Sequence, residues 1–376
     1  MPHTPQTYRW AVAASFAVQG LCFATWASRI PAVQHRLGLS AAELGGVLLA
    51  LPVGSLGTLP LAGWLVSRFG SRRVVLLGML LYGLGLPLLG LAATVPQLLA
   101  ALVLFGMAGE LGNIGVNTQA VGVEALYGRS IMATFHGLWS LAGFAGAGLA
   151  VLLIGQQVGP LYHFAGVGLL VLPTLLLLAP RLLPADAPRP AGTPLLALPD
   201  RPLLLLGVLA FCSLLCEGTM FDWSGVYFRQ VVRAPEAWVG LGFAAFMALM
   251  ATGRFVADWF IDRFGRRRTL VLSGLLEATG LLLAVAFPTL WAATLGFMLV
   301  GVGTAAVVPL VYGAAGRSTT MPAGMALAAV TTVGFMGFLL GPPLIGFVAG
   351  LSSLRVSFAL IAIMGLAVAA LGRKVA

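Results

Sequence analysis

Long apolar runs, broken by short basic or proline-bearing links, recur along the whole chain. Runs of about 20 residues, enough for a helix to cross a hydrocarbon core roughly 30 Å thick, fall at 9–29, 41–66, 74–93, 97–124, 131–155 and 160–180. A second set follows at 203–229, 236–261, 269–287, 289–314, 323–350 and 354–372. The pattern predicts an all-α integral membrane protein with twelve transmembrane helices, since a helix satisfies its own backbone hydrogen bonds in lipid. The first run follows a short polar head without a small-residue cleavage motif, so it reads as the first span and not as a removable leader.

The two sets of six are separated by PRLLPADAPRPAGTPLLALPDRP, residues 180–202, where repeated proline opposes a continuous helix. This divides the chain into an N-terminal half at 1–180, a cytoplasmic linker at 181–202 and a C-terminal half at 203–376. No other link exceeds about a dozen residues, which leaves no room for a soluble catalytic domain. WLVSRFGSRRVVLL from Trp64 matches WFIDRFGRRRTLVL from Trp259, 195 residues later, after the second span of each set. Repeats placed after an even number of spans predict pseudo-symmetric halves with the same orientation, able to rock against one another.

Composition agrees: 60% of residues are hydrophobic and 9% charged, and the mean hydropathy is +1.01. The net charge of +10 suggests nucleic acid until the arginines are placed, because they sit in links between apolar runs and not on one basic face. With the N-terminus inside, the inner side receives Arg9, Arg68, Arg72, Arg73, Arg129, Arg181, Arg189, Arg201, Arg263, Arg266, Arg267, Arg268, Arg317, Arg373 and Lys374. The outer side receives Arg29, Arg36, Arg229, Arg233 and Arg355, and Arg254 lies within a span. The bias predicts a multi-pass protein of the inner (plasma) membrane with both termini cytoplasmic. Cys22, Cys212 and Cys216 all fall inside apolar runs; Cys212 and Cys216, at i and i+4, read as packing residues before soft-metal ligands. No cofactor or metal is expected. Phosphate-cradling loops and a nucleophile elbow are absent from the sequence, so ATP-driven transport and hydrolytic catalysis lack their parts.

The SRFGSRR and DRFGRRR loops resemble the signature loop of the Major Facilitator Superfamily, and the resemblance covers the whole chain. FATWASRIPAVQHRLGLS, FHGLWSLAG, EGTMFDWSGVY and GFLLGPPLIG resemble strings of its bacterial branch typified by the MosC and YbjJ membrane proteins. The superfamily implies the fold of two six-helix halves and alternating access of one central site. The branch implies little about substrate, with export of a sugar-like compound suggested for one member. Two departures weigh against the multidrug and sugar-porter branches: Ser67 stands where the loop usually opens with Asp, kept only as Asp262, and no Arg occurs early in the fourth span.

The loops offer latch residues in Gly63, Arg68, Gly70 and Arg72, and in Asp262, Arg263, Gly265 and Arg267. Arg254 and Asp258, at i and i+4, extend the set as an intrahelical pair. Orientation alone would also select these arginines, so a latch and a topology signal stand side by side. Deeper acids are more informative, since a charge at mid-bilayer costs roughly 2.5–3.5 kcal/mol on insertion scales. Glu110 in the fourth span and Glu217 in the seventh are candidates for proton coupling, because burial disfavours a carboxylate and hydration restores it. The alternative is a neutral acid that only packs the bundle. Asp222 and His136 are further candidates, while Glu277 in the ninth span reads as a residue of the rim.

Glu110, Asn113 and Asn117 recur at three and four residues and form one polar stripe, which in lipid must face protein or a cavity. With Gln19, Trp26, Trp139, Ser140, Trp223 and Tyr227 they suit a small polar ligand such as a sugar or polyol, rings covering its apolar face and hydrogen bonds fixing its orientation. Trp26, Trp223 and Tyr227 read equally as interfacial anchors. Glycines and Pro342–Pro343 crowd the eleventh span, as a flexible gate or as tight packing. The expectation is a monomeric secondary transporter of a small molecule, proton-coupled, embedded in the bilayer and without nucleic-acid partners. A multidrug antiporter, an uncoupled uniporter and a non-transporting receptor or scaffold are the rivals.

Overall fold

The computed structural model describes residues 4–127, 131–184, 200–318 and 323–375. Arg129, Arg189 and most of the proline-rich linker lie outside the described residues. Among those described there is no strand, and twelve helical segments are long and apolar enough to cross a membrane. The first is broken into α1 (Pro5–Ala27) and α2 (Ile30–Leu37). Pro31 causes the break: its ring would meet the carbonyl four residues back, at Ala27, whereas in the first turn of α2 its missing N–H leaves nothing unpaired. The second span divides into α3 (Ala41–Leu48) and α4 (Ala50–Phe69). The others of the first half are α5 (Ser71–Leu91), α6 (Val95–Tyr127), α7 (Met132–Gly155) and α8 (Pro160–Leu178). The second half holds α9 (Arg201–Tyr227), α10 (Leu241–Phe264), α11 (Arg266–Ala286), α12 (Leu290–Ala315), α13 (Ala323–Leu351) and α14 (Leu354–Gly372).

The helix starts are written locally. Thr4, Asp200 and Ser353 cap α1, α9 and α14 by accepting from the backbone N–H three residues on, and Pro202 sits in the first turn of α9. Past Tyr227 a turn of π-helix, Phe228–Val232, prolongs the seventh span. Two glycines set the sharpest turns. Gly70, between α4 and α5, has φ 82° and ψ 149°, and Gly265, between α10 and α11, has φ 80° and ψ 159°. Side chains strongly disfavour that region, so both copies of the RFG motif need their glycine for one backbone shape.

The helices sort into two compact units. One comprises Met1–Leu39, Gly46–Pro188 and Glu236–Gly240; the other comprises Ser40–Gly45, Arg189–Pro235 and Leu241–Ala376. In the first, α1 packs on α7, α4 and α5 on α6, and α5 on α8. In the second, α9 packs on α13, α10 and α11 on α12, and α11 on α14. Span for span these pairings are the same, so the repeat heard in one loop of sequence extends to the packing of whole halves. Each unit has an apolar core of its own, around Ala62, Val66, Val74 and Leu111 in one and around Leu209, Leu270, Val307 and Val330 in the other.

Three of the arginines that the charge bias would assign to the outer side have structural duties. Arg36 donates to the carbonyls of Gly90 at 2.6 Å and Ala92 at 3.0 Å, closing the C-terminal end of α5. Arg355 does the same for α11 through the carbonyl of Val285, at 2.7 Å and 3.1 Å. The last carbonyls of a helix have no partner within it, and a guanidinium satisfies them while opposing the negative end of the dipole. Arg29 bonds to a histidine, described below.

Candidate functional site

In the second unit the polar chemistry gathers on α9, at residues 213–217. Arg254 of α10 donates through Nη2 to Oε1 of Glu217 at 3.1 Å, and the Glu217 side chain is buried. One turn earlier, Ser213 donates to Oε1 of Glu277 at 2.7 Å. Glu277 of α11 has no exposed surface, against the expectation of a rim position. It is enclosed by glycines of two neighbouring helices: a Cβ on Gly303 of α12 would lie 2.8 Å from its Cγ, and one on Gly365 of α14 would lie 3.0 Å from its Cβ. Oε2 of Glu217 and Oε2 of Glu277 have no hydrogen-bond partner. In each acid, then, one oxygen is fixed by a side chain of a neighbouring helix and the other is left without a partner. Cys216, between Ser213 and Glu217 in sequence, points its thiol to the carbonyl of Ile361 at 3.7 Å.

The sequence reading named Arg254 and Glu217 separately and missed that they meet. It joined Arg254 to Asp258, whose side chain lies outside the described residues. Nothing in a single chain marks two helices as neighbours, although a lone Arg and a lone Glu inside apolar spans are a signal, since each needs a partner. Asp222 is half-buried. Tyr227 is buried, donates to the carbonyl of Ala284 at 2.9 Å and lies 4.2 Å from the Phe358 ring. Trp223 is likewise buried.

In the first unit the stripe on α6 becomes a hydrogen-bonded ladder. Asn117 donates to Oδ1 of Asn113 at 2.8 Å, and Asn113 donates to Oε1 of Glu110 at 3.3 Å. All three are half-buried. Gln19 of α1 is buried beside the ladder, its unpartnered Nε2 facing Gly112 at 3.4 Å from where a Cβ would stand. From α7, His136 meets the edge of Phe16 with ring centres 5.1 Å apart, Trp139 lies 5.8 Å from Phe23, and Ser140 donates to the His136 carbonyl at 3.1 Å. Candidates from the first, fourth and fifth spans thus come together in one half.

A further pair went unnoticed in sequence. Arg29 Nε donates to Nδ1 of His163 at 3.1 Å, both residues being buried, and Arg29 Nη2, His163 Nε2 and the nearby Trp26 indole N–H have no partner. Accepting at Nδ1 requires an unprotonated nitrogen there, so this imidazole carries its hydrogen on Nε2. Trp26, Trp223 and Tyr227 are each at most 1% exposed, which places them in the packing of their units and not at a lipid interface. Of the loop residues, Arg68 and Arg263 are exposed and Gly63 is half-buried. Asp262 is exposed and makes no ion pair among the described residues.

The sequence profile of the Major Facilitator Superfamily matches residues 11–239 and 232–375. An uncharacterised transporter of that type from Yersinia pestis is 39% identical over 96% of this chain and 94% of its own length. The membrane protein MosC of Rhizobium meliloti is 33% identical over 90% of this chain and 83% of its own. Among solved structures, the nucleoside transporter NupG superposes with a TM-score of 0.75 at 12% identity, covering 96% of this chain and 99% of NupG. A bacterial homologue of the lysosomal transporter Spinster gives 0.73 at 15% identity, over 98% and 96%. At such identities these structures speak for the fold alone.

Proposed function

The chain belongs to the Major Facilitator Superfamily, and from that premise we propose that it is a secondary transporter moving a small polar solute across the inner membrane, with Glu217 as the proton-coupling group. The observation that carries the reading is the buried ion pair of Glu217 with Arg254 at 3.1 Å. Two charges taken out of water hold together only while both are charged, and a proton on Glu217 removes the attraction. The bond between the two is then lost, which makes the pair a two-state element that protonation biases. Facing Glu217 are Arg254 from α10, Tyr312 from α12 and, through the Ser213 turn, Glu277 from α11; α13 carries no ionisable residue among Ala323–Leu351. Glu277 is a second acceptor in the same half, able to take the proton when Glu217 re-forms its pair.

The ladder of Glu110, Asn113 and Asn117 with Gln19 supplies donors and acceptors of the kind that hydroxyl groups pair with, and His136 and Trp139 add aromatic surface. A polyhydroxylated, sugar-like compound fits that chemistry, and outward movement follows the resemblance to the MosC-like branch. Both termini lie in the cytoplasm on the charge bias.

The test is transport in proteoliposomes, with the solute first found by thermal-shift screening of sugars, polyols, amino acids and cationic drugs. Wild-type protein should concentrate the solute when a pH gradient is imposed. Glu217→Gln should lose that response and keep solute exchange at equal pH. Full gradient-driven accumulation in Glu217→Gln and in Glu110→Gln alike would overturn proton coupling at both acids. Wild-type transport indifferent to the gradient would make the protein a uniporter, and saturable binding without flux would make it a receptor.

A further inference from the structure

A cavity opens at each copy of the RFG loop, one in each unit. The first, of about 490 Å³, is lined by Phe69, Gly70, Arg72, Arg73, Leu76 and Pro184. The second, of about 570 Å³, is lined by Arg267, Arg268, Val271, Leu272 and Arg373. Arg72, Arg73 and Leu76 precede Arg267, Arg268 and Val271 by the same 195 residues that separate the loops, so the repeat reproduces two arginines above an apolar side chain one turn further into the span. Among the described residues, none of the guanidinium groups of the two cavities makes a hydrogen bond or ion pair with the protein. A cavity lined by unpaired guanidinium forks suits phosphate oxygens, which accept two parallel N–H bonds from each fork.

The position of the cavities adds a constraint on the source of the phosphate. Trp64 and Trp259, one turn before the loops, are 56% and 64% exposed, and exposed indoles at the end of a span belong at the headgroup level of a bilayer. Leu272, in the wall of the second cavity, is itself exposed, so the floor continues onto surface that acyl chains cover. A free anion in water has no use for such a floor; a phospholipid does.

We propose that both cavities bind the headgroup of an anionic phospholipid, its phosphate between the paired arginines and its first acyl carbons on Leu76 in one half and on Val271 and Leu272 in the other. The two sites are unequal. The exit of the sixth span supplies Pro184 to the first cavity, whereas the exit of the twelfth supplies Arg373 to the second. The second site therefore has three cations and prefers a headgroup with two phosphates, as in cardiolipin.

Native mass spectrometry of the full-length protein in detergent, titrated with cardiolipin, phosphatidylglycerol, phosphatidylethanolamine and inorganic phosphate, tests this. The expected result is two saturable binding events for the anionic lipids, the tighter one favouring cardiolipin, with much weaker binding of phosphatidylethanolamine and none of inorganic phosphate. Each lost arginine should weaken binding about fivefold, so Arg267→Gln/Arg268→Gln/Arg373→Gln should abolish the tighter event. Arg181→Gln/Arg201→Gln/Arg317→Gln removes equal charge outside both cavities and should leave it intact. Equal loss in the two triple variants would reduce the effect to bulk attraction and overturn the sites. Equal binding of phosphatidylethanolamine by wild-type protein would overturn the anionic preference, and occupancy by inorganic phosphate would overturn the lipid source; both readouts stand even if a variant fails to fold.

Discussion

At the scale of the residue, the chemistry rests on few side chains, and their value depends on partners. Glu217 without Arg254 is a buried carboxylate with nothing to balance it, so Arg254→Ala should cost about 3 kcal/mol of stability, near the lower end for breaking a buried pair because Arg254 is only half-buried. Replacing both partners with Gln should restore much of that loss, since no unbalanced charge remains. A melting series of wild-type, Arg254→Ala and the double variant would show it; a double variant no better than the single would mean that the pair adds no stability. In function, Arg254→Gln removes the cation that favours the carboxylate. The pH profile of transport should then differ from that of the wild type. An unmoved profile would detach Arg254 from the coupling group. The acids and amides were legible in sequence because charge is scarce in apolar runs, and Glu110, Asn113 and Asn117 were legible as one stripe because helical spacing is local. Arg254 with Glu217, Ser213 with Glu277 and Arg29 with His163 were not, because each pair joins different helices, 37, 64 and 134 residues apart.

At the scale of the element, helix starts and breaks follow from signals a few residues long, and helix ends that are closed from elsewhere do not. Gly265 adopts φ 80° and ψ 159°, so Gly265→Ala should cost about 1–3 kcal/mol, seen as a lower melting temperature in detergent. An unchanged melt would mean the turn relaxes to another shape at little cost. Arg36 shows the second kind of end. Counted by position it is an exception to the inside bias, yet it closes α5 from the far side of two spans. Arg36→Ala should lower stability by about 1.5–3 kcal/mol, the range for hydrogen bonds to a charged donor. Because the inner excess remains large, the same variant should insert with its orientation unchanged in a reporter-fusion assay. A flipped orientation with normal stability would show that Arg36 acts on topology after all.

At the scale of the whole molecule, the twelve spans and the two halves follow from quantities that accumulate over long stretches: hydropathy, basic residues per link and one repeated loop. Topology is the prediction that belongs here. Reporter fusions placed after the second, fourth and sixth spans should report the cytoplasm, and those after the first, third and fifth the outside. A cytoplasmic signal after the first span would invert the orientation. The repeat is stronger in structure than in sequence, since the matched pairings of α1 with α7 and α9 with α13, and of α5 with α8 and α11 with α14, have no counterpart in sequence beyond the RFG loops. Packing tolerates many apolar side chains of similar volume, so helices can keep their neighbours while nearly every contacting residue changes. Glycine at φ near 80° tolerates no such exchange, which is why the loops still match.

By itself, then, the sequence determined what depends on sums and on neighbours along the chain: the membrane as solvent, the number of spans and the polar stripe on the fourth span. Tertiary structure alone decided what depends on neighbours through space. It took Glu277 from the expected rim into the core between Gly303 and Gly365, gave Glu217 its cation, and buried Trp26, Trp223 and Tyr227 where interfacial anchors would have been exposed. The physical reason lies in the bilayer: lipid is as apolar as leucine, so hydropathy puts a helix in the membrane without saying which of its faces meets protein, and only the packing of small residues against small residues settles that.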